Sequence, residues 1–195
     1  MKSASVVALM ISMWMFSGWG WGVTQAAESS QESSFKEWCQ NLASLSAQRR
    51  KTVEAVLAEA GTSGCELAAK NLSSRTALNL VSRGISDLSP LSELTNLAGL
   101  YLYNNQITDV SPLAGLTNLQ WLDLKNNQIA DVSPLAGLTN LIELYLNSNQ
   151  ITDVSSLARL TNLFLLNLEG NAIPSDSSAN AQPTCPVSRP DVCRF

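Results

Sequence analysis

The chain has 195 residues, which is enough for one ordinary domain or for one short repeat array with end caps. Charged residues make up only 14% of it and the net charge is −4, so it lacks the basic stripe expected of a nucleic-acid-binding protein. It contains no histidine, which removes Ser-His-Asp and Cys-His catalysis and most metal-assisted mechanisms.

The first residues have the pattern of a secretory signal peptide. Lys2 precedes an uncharged, mostly apolar run from Ala4 to Val23, and the small residues Thr24 and Ala26 fit the rule for a cleavage site. We therefore predict a signal peptide over residues 1–26 and a secreted or periplasmic protein, with no stable membrane insertion after cleavage. The alternative is an uncleaved membrane anchor, because the apolar run is longer than a usual signal core.

A helical N-terminal cap is predicted over residues 27–71. Ser46 is suited to cap a helix running from about Ala47 to Ala60, and Gly61 is suited to end it. Within this helix one apolar stripe recurs at helical spacing, formed by Val53, Val56, Leu57 and Ala60. We expect the stripe to pack on the first repeat; the alternative is that it binds a partner helix.

A 22-residue repeat follows the cap. From Leu94 the chain reads LTNLAGLYLYNNQITDVSPLAG, from Leu116 LTNLQWLDLKNNQIADVSPLAG, and from Leu138 LTNLIELYLNSNQITDVSSLAR. A weaker copy begins at Leu72, and a fifth begins at Leu160 and loses the pattern after Ile173. Residues 72–173 are therefore predicted to hold five repeats, of which the first and last are degenerate.

Each repeat predicts one short strand followed by a turn. In Leu100-Tyr101-Leu102 the two leucines lie on the face opposite to the tyrosine, which is the alternation of a β-strand. An asparagine recurs where the chain leaves the strand, and such a column can satisfy buried backbone groups at the turn. We interpret this column as structural: Asn105, Asn127, Asn149 and Asn171.

A short helical turn is predicted on the far side of each repeat. Serine is suited to the N-cap and proline to the first helical position, and the pair recurs at Ser89-Pro90, Ser111-Pro112 and Ser133-Pro134. Gly115 and Gly137 are expected to turn the chain back toward the next strand. The fourth copy has Ser155-Ser156 instead, which should weaken its turn slightly.

The repeat resembles the 22-residue bacterial leucine-rich repeat of internalin-type proteins. The likeness rests on the pattern L-x-x-L-x-x-L-x-L-x-x-N-x-I-x-D-[LV]-x-P-L, which covers Leu72 to about Ile173. It implies an α/β leucine-rich-repeat solenoid with short parallel strands on a concave binding face, but it implies no particular ligand. The flanking segments, with Trp38-Cys39 before the repeats and Cys185 to Phe195 after them, resemble the caps of exported cyanobacterial leucine-rich-repeat proteins.

The four cysteines flank the repeats in two pairs. In an oxidising compartment they predict disulfides, and no Cys-x-x-Cys spacing supports a zinc site. Five stacked strands would separate the caps by roughly 20 Å, at about 4.8 Å per strand. Disulfide partners need Cα atoms within about 7 Å, so the expected pairs are Cys39–Cys65 and Cys185–Cys193, the second closing a C-terminal cap over residues 174–195.

Aromatic residues are concentrated at the outward positions of the predicted strands. All three tyrosines and the only tryptophan inside the repeats lie there, where core packing does not need them. Tyrosine and tryptophan are enriched at binding hot spots; the alternative is that they stabilise the sheet by cross-strand packing. The predicted partner-binding residues are Tyr101, Tyr103, Trp121, Asp123, Lys125, Glu143, Tyr145 and Asn147.

The predicted function is binding without catalysis or a cofactor. The chain has no phosphate-binding loop, and Asp123 and Glu143, on an open solvated face, would have little reason to differ in pKa as a pair of glycosidase carboxylates must. We expect a monomeric module that recognises a protein partner through the concave face. The alternative is a structural or adhesive cell-envelope protein that binds glycan or wall polymer.

Overall fold

The computed structural model describes residues 34–174 and 184–195. The predicted signal peptide lies outside these residues. Within the described ranges, no helix combines the length and the apolar character needed to cross a membrane.

In the described part of the chain before the repeats there are three α-helices: α1 (Phe35–Gln40), α2 (Ala47–Ala60) and α3 (Cys65–Ser73). The side chain of Ser46 accepts a hydrogen bond from the N–H of Arg49, and Gly61 ends α2 in the left-handed conformation with φ of 73°. A serine supplies the N-cap oxygen, and glycine adopts positive φ without a steric penalty. The predicted bounds of α2 are therefore confirmed.

Helix α2 packs on the start of the repeat array through its predicted stripe. Val53, Val56 and Ala60 are buried and Leu57 is partly buried. At the same face the Thr52 hydroxyl donates to the backbone oxygen of Asp87 at 2.6 Å, and Nε of Arg49 donates to a carboxylate oxygen of Asp87 at 3.0 Å. These two polar contacts to the first repeat fix where the helix lies, and they agree with the expected role of a cap.

The repeats form one parallel sheet whose strands follow chain order. Neighbouring strands pair with a constant offset of 22 residues, so that Leu100, Leu122 and Leu144 stack in register. This confirms the predicted fold. The last strand lies in the C-terminal segment and pairs with the strand before it, an addition that the repeat pattern does not predict. The strands are β1 (Ala77–Asn79), β2 (Gly99–Tyr101), β3 (Trp121–Asp123), β4 (Glu143–Tyr145), β5 (Leu165–Asn167) and β6 (Cys193–Arg194).

On the far side of the first four repeats the turn is a 3₁₀ helix, and the predicted capping role of serine is wrong. Ser111 occupies the first helical position, and no side chain caps this helix at Val110. Instead Oδ1 of Asp109 accepts from the N–H of Ser111 at 2.8 Å. Aspartate is suited to this role because its carboxylate reaches the N–H two residues on. The same bond recurs at Asp87, Asp131 and Asp153.

The glycines after these turns do not adopt the left-handed conformation that glycine allows. Gly115 and Gly137 are not among the residues with positive φ, and a Cβ on either would meet nothing within 4 Å. The left-handed position of the repeat comes instead just before the asparagine column, at Ser82, Asn104, Asn126, Ser148 and Gly170. The 3₁₀ helix of the fourth repeat, Ser155–Arg159, lacks proline but has the same five-residue length as that of the third repeat, Ser133–Gly137.

Three asparagines of the column are buried, Asn171 is partly buried, and all four bond to the backbone, as predicted. Oδ1 of Asn105 accepts from the N–H groups of Arg83 and Ile85 at 3.1 and 3.0 Å. Its Nδ2 donates to the backbone oxygens of Leu80 and Leu102 at 2.9 and 2.7 Å. Each asparagine thus joins the turn of one repeat to the next, which removes the cost of leaving these buried backbone groups unpaired.

Two disulfides close the cap segments. Cys39 is bonded to Cys65 with a Cα–Cα distance of 5.5 Å, and Cys185 to Cys193 with 5.7 Å. The predicted pairing is confirmed, and the two bonds fit an oxidising, extracytoplasmic compartment. The boundaries of the predicted caps stay predictions.

Candidate binding site on the parallel sheet

The exposed sheet face consists of the outward-pointing residues of β1 to β5 and of the residue two positions after each strand, such as Tyr103, Lys125 and Glu169. It lies opposite the leucine core and corresponds to the concave face of a leucine-rich-repeat solenoid. The central leucine of β3, Leu122, is fully buried, whereas Tyr101 and Trp121 are each 38% exposed. In register, Gly99 pairs with Trp121 and Tyr101 with Asp123. Trp121 therefore lies diagonally across from Tyr101.

Two tyrosine side chains turn back along their own strands and stand on either side of β3. A Cβ placed on Gly99 would lie 3.6 Å from both Cε2 and Oη of Tyr101, so the ring of Tyr101 covers that glycine. On the other side, Oη of Tyr145 donates to Oε2 of Glu143 at 2.9 Å. Both phenol groups thus reach the row that contains Trp121. Because Gly99 has no side chain, the ring of Tyr101 has room to lie there.

These side chains enclose a pocket of about 300 Å³. Six of the eight predicted partner-binding residues line it together with Leu122: Tyr101, Trp121, Asp123, Lys125, Glu143 and Tyr145. A cavity of this volume is at the lower end of the range for small-molecule pockets, and it suits one inserted group. The structure therefore brings most of the predicted residues into one concave site.

The other two predicted residues lie outside the pocket lining. Nζ of Lys125 lies 4.3 Å from the centroid of the Tyr103 ring, in the geometry of a cation–π contact. Tyr103 thus holds a pocket residue without itself facing the pocket. Oδ1 of Asn147 is buried and has no hydrogen-bond partner among the described residues.

Asp123 differs from the expectation of an open, solvated carboxylate. It is only 9% exposed, and burial raises its pKa despite a hydrogen bond and an ion pair with Lys125. Oδ1 accepts from the N–H of Lys125 at 3.1 Å, and Nζ of Lys125 lies 3.5 Å from Oδ2. The expectation was wrong because Asp123, in register between β2 and β4 at the centre of the sheet, is largely withdrawn from solvent.

Burial and the hydrogen bond to Glu143 raise the pKa of Tyr145. The phenol is therefore protonated at neutral pH and acts as a donor. Both carboxylates of the pocket already have protein partners, since Lys125 bonds Asp123 and Tyr145 bonds Glu143. The described residues contain no cluster of three or more acidic, cysteine or histidine side chains that could hold a metal ion. This arrangement suits recognition of a charged or polar group.

One exposed aromatic residue was not predicted. Phe164 is 68% exposed and directly precedes β5, where the other copies have Thr76, Ala98, Gln120 and Ile142. Its N–H donates to the backbone oxygen of Ile142, so the two residues are neighbours on adjacent repeats. The sequence signal was present, because a large apolar residue stands in a column that carries no core leucine.

Comparisons with known proteins agree with this fold. The family model "Leucine Rich repeats (2 copies)" matches residues 117–159, and the model "Leucine rich repeat" matches residues 74–129. A comparison with curated protein sequences finds no match.

Two crystal structures from Listeria monocytogenes are similar to the chain. Internalin C2 is 44% identical over 65% of this chain and 54% of that one, with a TM-score of 0.55. Internalin F is 35% identical over 66% of this chain and 38% of that one, with a TM-score of 0.56. The chain thus spans about half of the first structure and less of the second. The likeness of the caps to cyanobacterial proteins stays a prediction. The chain has the leucine-rich-repeat fold, and its repeats are similar to those of the Listeria internalins.

Proposed function

We propose that this protein is an exported, non-catalytic module that binds a protein partner through the exposed sheet face. The observation that carries the proposal is the pocket of about 300 Å³, which gathers six of the predicted residues around Trp121 and Tyr101. Leucine-rich-repeat solenoids use such extended faces for binding. The internalin-like repeats support a protein as the partner.

The energetics of the exposed rings favour recognition over a purely structural role. Trp121 and Tyr101 keep 38% of their surface in solvent, so the fold gains only part of the stabilisation that these large side chains could supply. Burial of the remainder by a partner would release that free energy. Aromatic residues at the centre of an interface are typical hot spots, and the partly exposed polar side chains around them would form its rim.

Capture and truncation test the proposal. The protein should be used as bait for its own cell envelope and culture medium, and the captured partner's affinity measured for wild type and three variants at one salt concentration. Trp121→Ala and Tyr145→Ala should each weaken binding by about 30-fold, since a hot spot contributes about 2 kcal/mol or more. Their stability should fall by only about 0.5–1 kcal/mol, the range for a cross-strand pair.

Thr108→Ala is the control, because Thr108 is exposed and lies outside the strands and the pocket. It should leave both binding and stability unchanged. Equal affinities for wild type, Trp121→Ala and Tyr145→Ala would refute the proposed site. Capture of a wall glycan in place of a protein, with the same loss on Trp121→Ala, would favour the adhesive alternative.

Export is part of the proposal and is tested separately. The two disulfides support an oxidising compartment. The mature protein should be recovered from the periplasm or the medium and should begin at Ala27 by N-terminal sequencing. Recovery of intact Met1 in a membrane fraction would favour the anchor instead.

A further inference from the structure

We infer that the pocket on β2 to β4 accepts a basic side chain, an arginine or a lysine of the protein partner. The inference rests on the proposed function and specifies what the partner places in the pocket. It follows from the composition of the walls, from the distribution of charge in the lining and from the hydrogen bonds that the lining has already formed.

The walls present aromatic rings around one opening. Tyr101 on β2, Trp121 on β3 and Tyr145 on β4 come from three adjacent strands and line the same cavity. Aromatic faces attract a cation placed over them, and a tryptophan face does so most strongly. The guanidinium group of arginine is flat and weakly hydrated, so it can stack on such a ring while its N–H groups point to a carboxylate.

The charges of the lining leave one carboxylate without a cation. The lining holds two carboxylates, Asp123 and Glu143, and one ammonium group, that of Lys125. Lys125 lies 3.5 Å from Asp123 and 4.3 Å from the Tyr103 ring, so its charge is directed to that side. Within the described part of the chain, Glu143 has no ion pair and accepts one hydrogen bond, from Tyr145 through Oε2. Its Oε1 remains an acceptor beside Trp121, with which Glu143 is in register.

The nearest further cation on the sheet does not compensate Glu143. Arg194 in β6 lies two strands from Tyr145 in register, which is about 10 Å. It is exposed and is not part of the lining. Its charge acts on the Tyr145 phenol, where it is the weakest of the effects on that pKa. It forms no ion pair with Glu143 in the described part of the chain, and solvent and salt screen an exposed charge.

The acceptor left open on Glu143 suits a cation. Here the Tyr145 hydroxyl donates to Glu143 and the Lys125 ammonium is engaged by Asp123. The Glu143 carboxylate oxygen that remains accepts hydrogen bonds only. A ligand with several donors and a positive charge satisfies this arrangement, as guanidinium and ammonium groups do.

A titration with two small peptides tests the inference directly. The probes are acetyl-Gly-Arg-Gly-amide and the same peptide with citrulline, which keeps the shape of arginine but has no charge. Binding to the ¹⁵N-labelled protein is followed by NMR through the indole N–H of Trp121, assigned with the Trp121→Ala variant. We expect the arginine peptide to bind at least about 10-fold more tightly than the citrulline peptide, a ratio worth about 1.4 kcal/mol.

Matched variants locate the preference. Glu143→Gln should reduce the ratio to about 2-fold or less, because it removes the unpaired charge and keeps the hydrogen bond from Tyr145. Glu169→Gln removes the same charge from an exposed residue of the same sheet face outside the pocket, and it should leave the ratio unchanged. Phe164→Ala, which removes an exposed ring outside the pocket, should also leave it unchanged.

Each other outcome overturns the inference. Equal binding of the two peptides, or a preference that survives Glu143→Gln, would show that charge is not recognised here. So would a shift of the Trp121 resonance by chitotetraose with none by the arginine peptide, which would indicate a glycan site. A captured protein partner that is lost on Trp121→Ala but retained by Glu143→Gln would leave the proposed function standing and remove only this inference.

Discussion

The backbone N–H of Lys125 donates a hydrogen bond to Oδ1 of Asp123 at 3.1 Å. In two other strands an asparagine occupies the position of Asp123 and accepts the corresponding bond. Asn79 accepts from Val81 at 3.2 Å and Asn167 from Glu169 at 3.1 Å. The short side chain at this position therefore supports the backbone as the chain leaves the strand. What distinguishes Asp123 from its two counterparts is a negative charge in a buried place.

Replacement of Asp123 by asparagine should therefore have a pH-dependent effect: relative to wild type, the variant should be more stable at neutral pH than it is in acid. Burial raises the pKa of Asp123 above its ordinary value of 3.8. Its contribution to stability is thus fully present below 3.8 and is lost as the pH rises through the folded-state pKa. Because the amide of the substituted side chain does not titrate, the free energy of unfolding of D123N minus that of wild type should increase from pH 3.5 to pH 7, as measured by urea unfolding.

Asp131→Asn is the control with the opposite sign. Hydrogen bonds from Ser133 lower the pKa of Asp131, so its contribution is present above 3.8 and is lost as the pH falls below that value. D131N should therefore be less stable than wild type at pH 7, and the difference should shrink in acid. The same sign of pH dependence for both variants would contradict the assignment of Asp123 as the buried carboxylate.

Asn127→Ala should destabilise the fold by about 2–3 kcal/mol, because it leaves a buried N–H group without a partner. Oδ1 of Asn127 accepts from Ile107 at 3.1 Å, and Nδ2 donates to the backbone oxygens of Leu102 and Leu124 at 3.1 and 2.9 Å. The free energy of unfolding in urea measures the loss.

Asn118→Ala is the matched control for that variant. Asn118 also bonds across repeats, to the backbone oxygen of Thr95 at 2.8 Å, but it does so on an exposed surface where water can replace the bond. Its truncation should cost less than about 1 kcal/mol. Equal losses of unfolding free energy in Asn127→Ala and Asn118→Ala would mean that burial of the asparagine column does not add to the stability of the fold.

The two disulfides should contribute unequally to stability. In the chain-entropy account a bridge that closes a longer loop restricts the unfolded chain more, by about 3.5 kcal/mol for Cys39–Cys65 and about 2.5 kcal/mol for Cys185–Cys193. The loops span sequence separations of 26 and 8 residues. Urea unfolding of the Cys39→Ser/Cys65→Ser and Cys185→Ser/Cys193→Ser double variants tests the order. A larger loss for the C-terminal pair would show that native contacts of β6, and not chain entropy, dominate.

The repeat period predicted the sheet because it places one leucine at the centre of every strand. Once Leu100, Leu122 and Leu144 point into the core, period-two alternation places Tyr101 and Trp121 on the outer face. The asparagine column was predicted in the same way, because asparagine recurs at one position of the 22-residue repeat, where the chain leaves the strand. Strand β6 could not be predicted, since Cys193-Arg194 does not repeat the motif and pairs only through the geometry of the cap.

The details of the pocket depend on side chains that are neighbours in space, and the 22-residue repeat pattern does not predict them. The sequence placed Asp123 on the outer face but could not show that it is buried there. It also could not show the direction in which the tyrosines lean. That direction depends on side-chain rotamers and on the space beside them, which at Tyr101 is provided by Gly99.

Gly99 should therefore control the shape of the pocket, and substitutions of increasing size should reveal it. A Cβ at this position would lie 3.6 Å from the Tyr101 ring, which is ordinary van der Waals contact, so Gly99→Ala should fold and bind the partner as wild type does.

A leucine at position 99 would extend into the space of the Tyr101 ring and displace it. Leu165 occupies the same column in β5, so this sheet accepts leucine there, and Gly99→Leu should remain as stable as wild type within about 1 kcal/mol. Its affinity for the partner should nevertheless fall at least about 10-fold, a loss similar to that of Tyr101→Ala, and the double variant should lose little more than either single one. Urea unfolding and affinity measurements on these four variants check the expectation. Full affinity in Gly99→Leu, with Tyr101→Ala impaired, would show that the ring of Tyr101 binds from a position other than the one above Gly99.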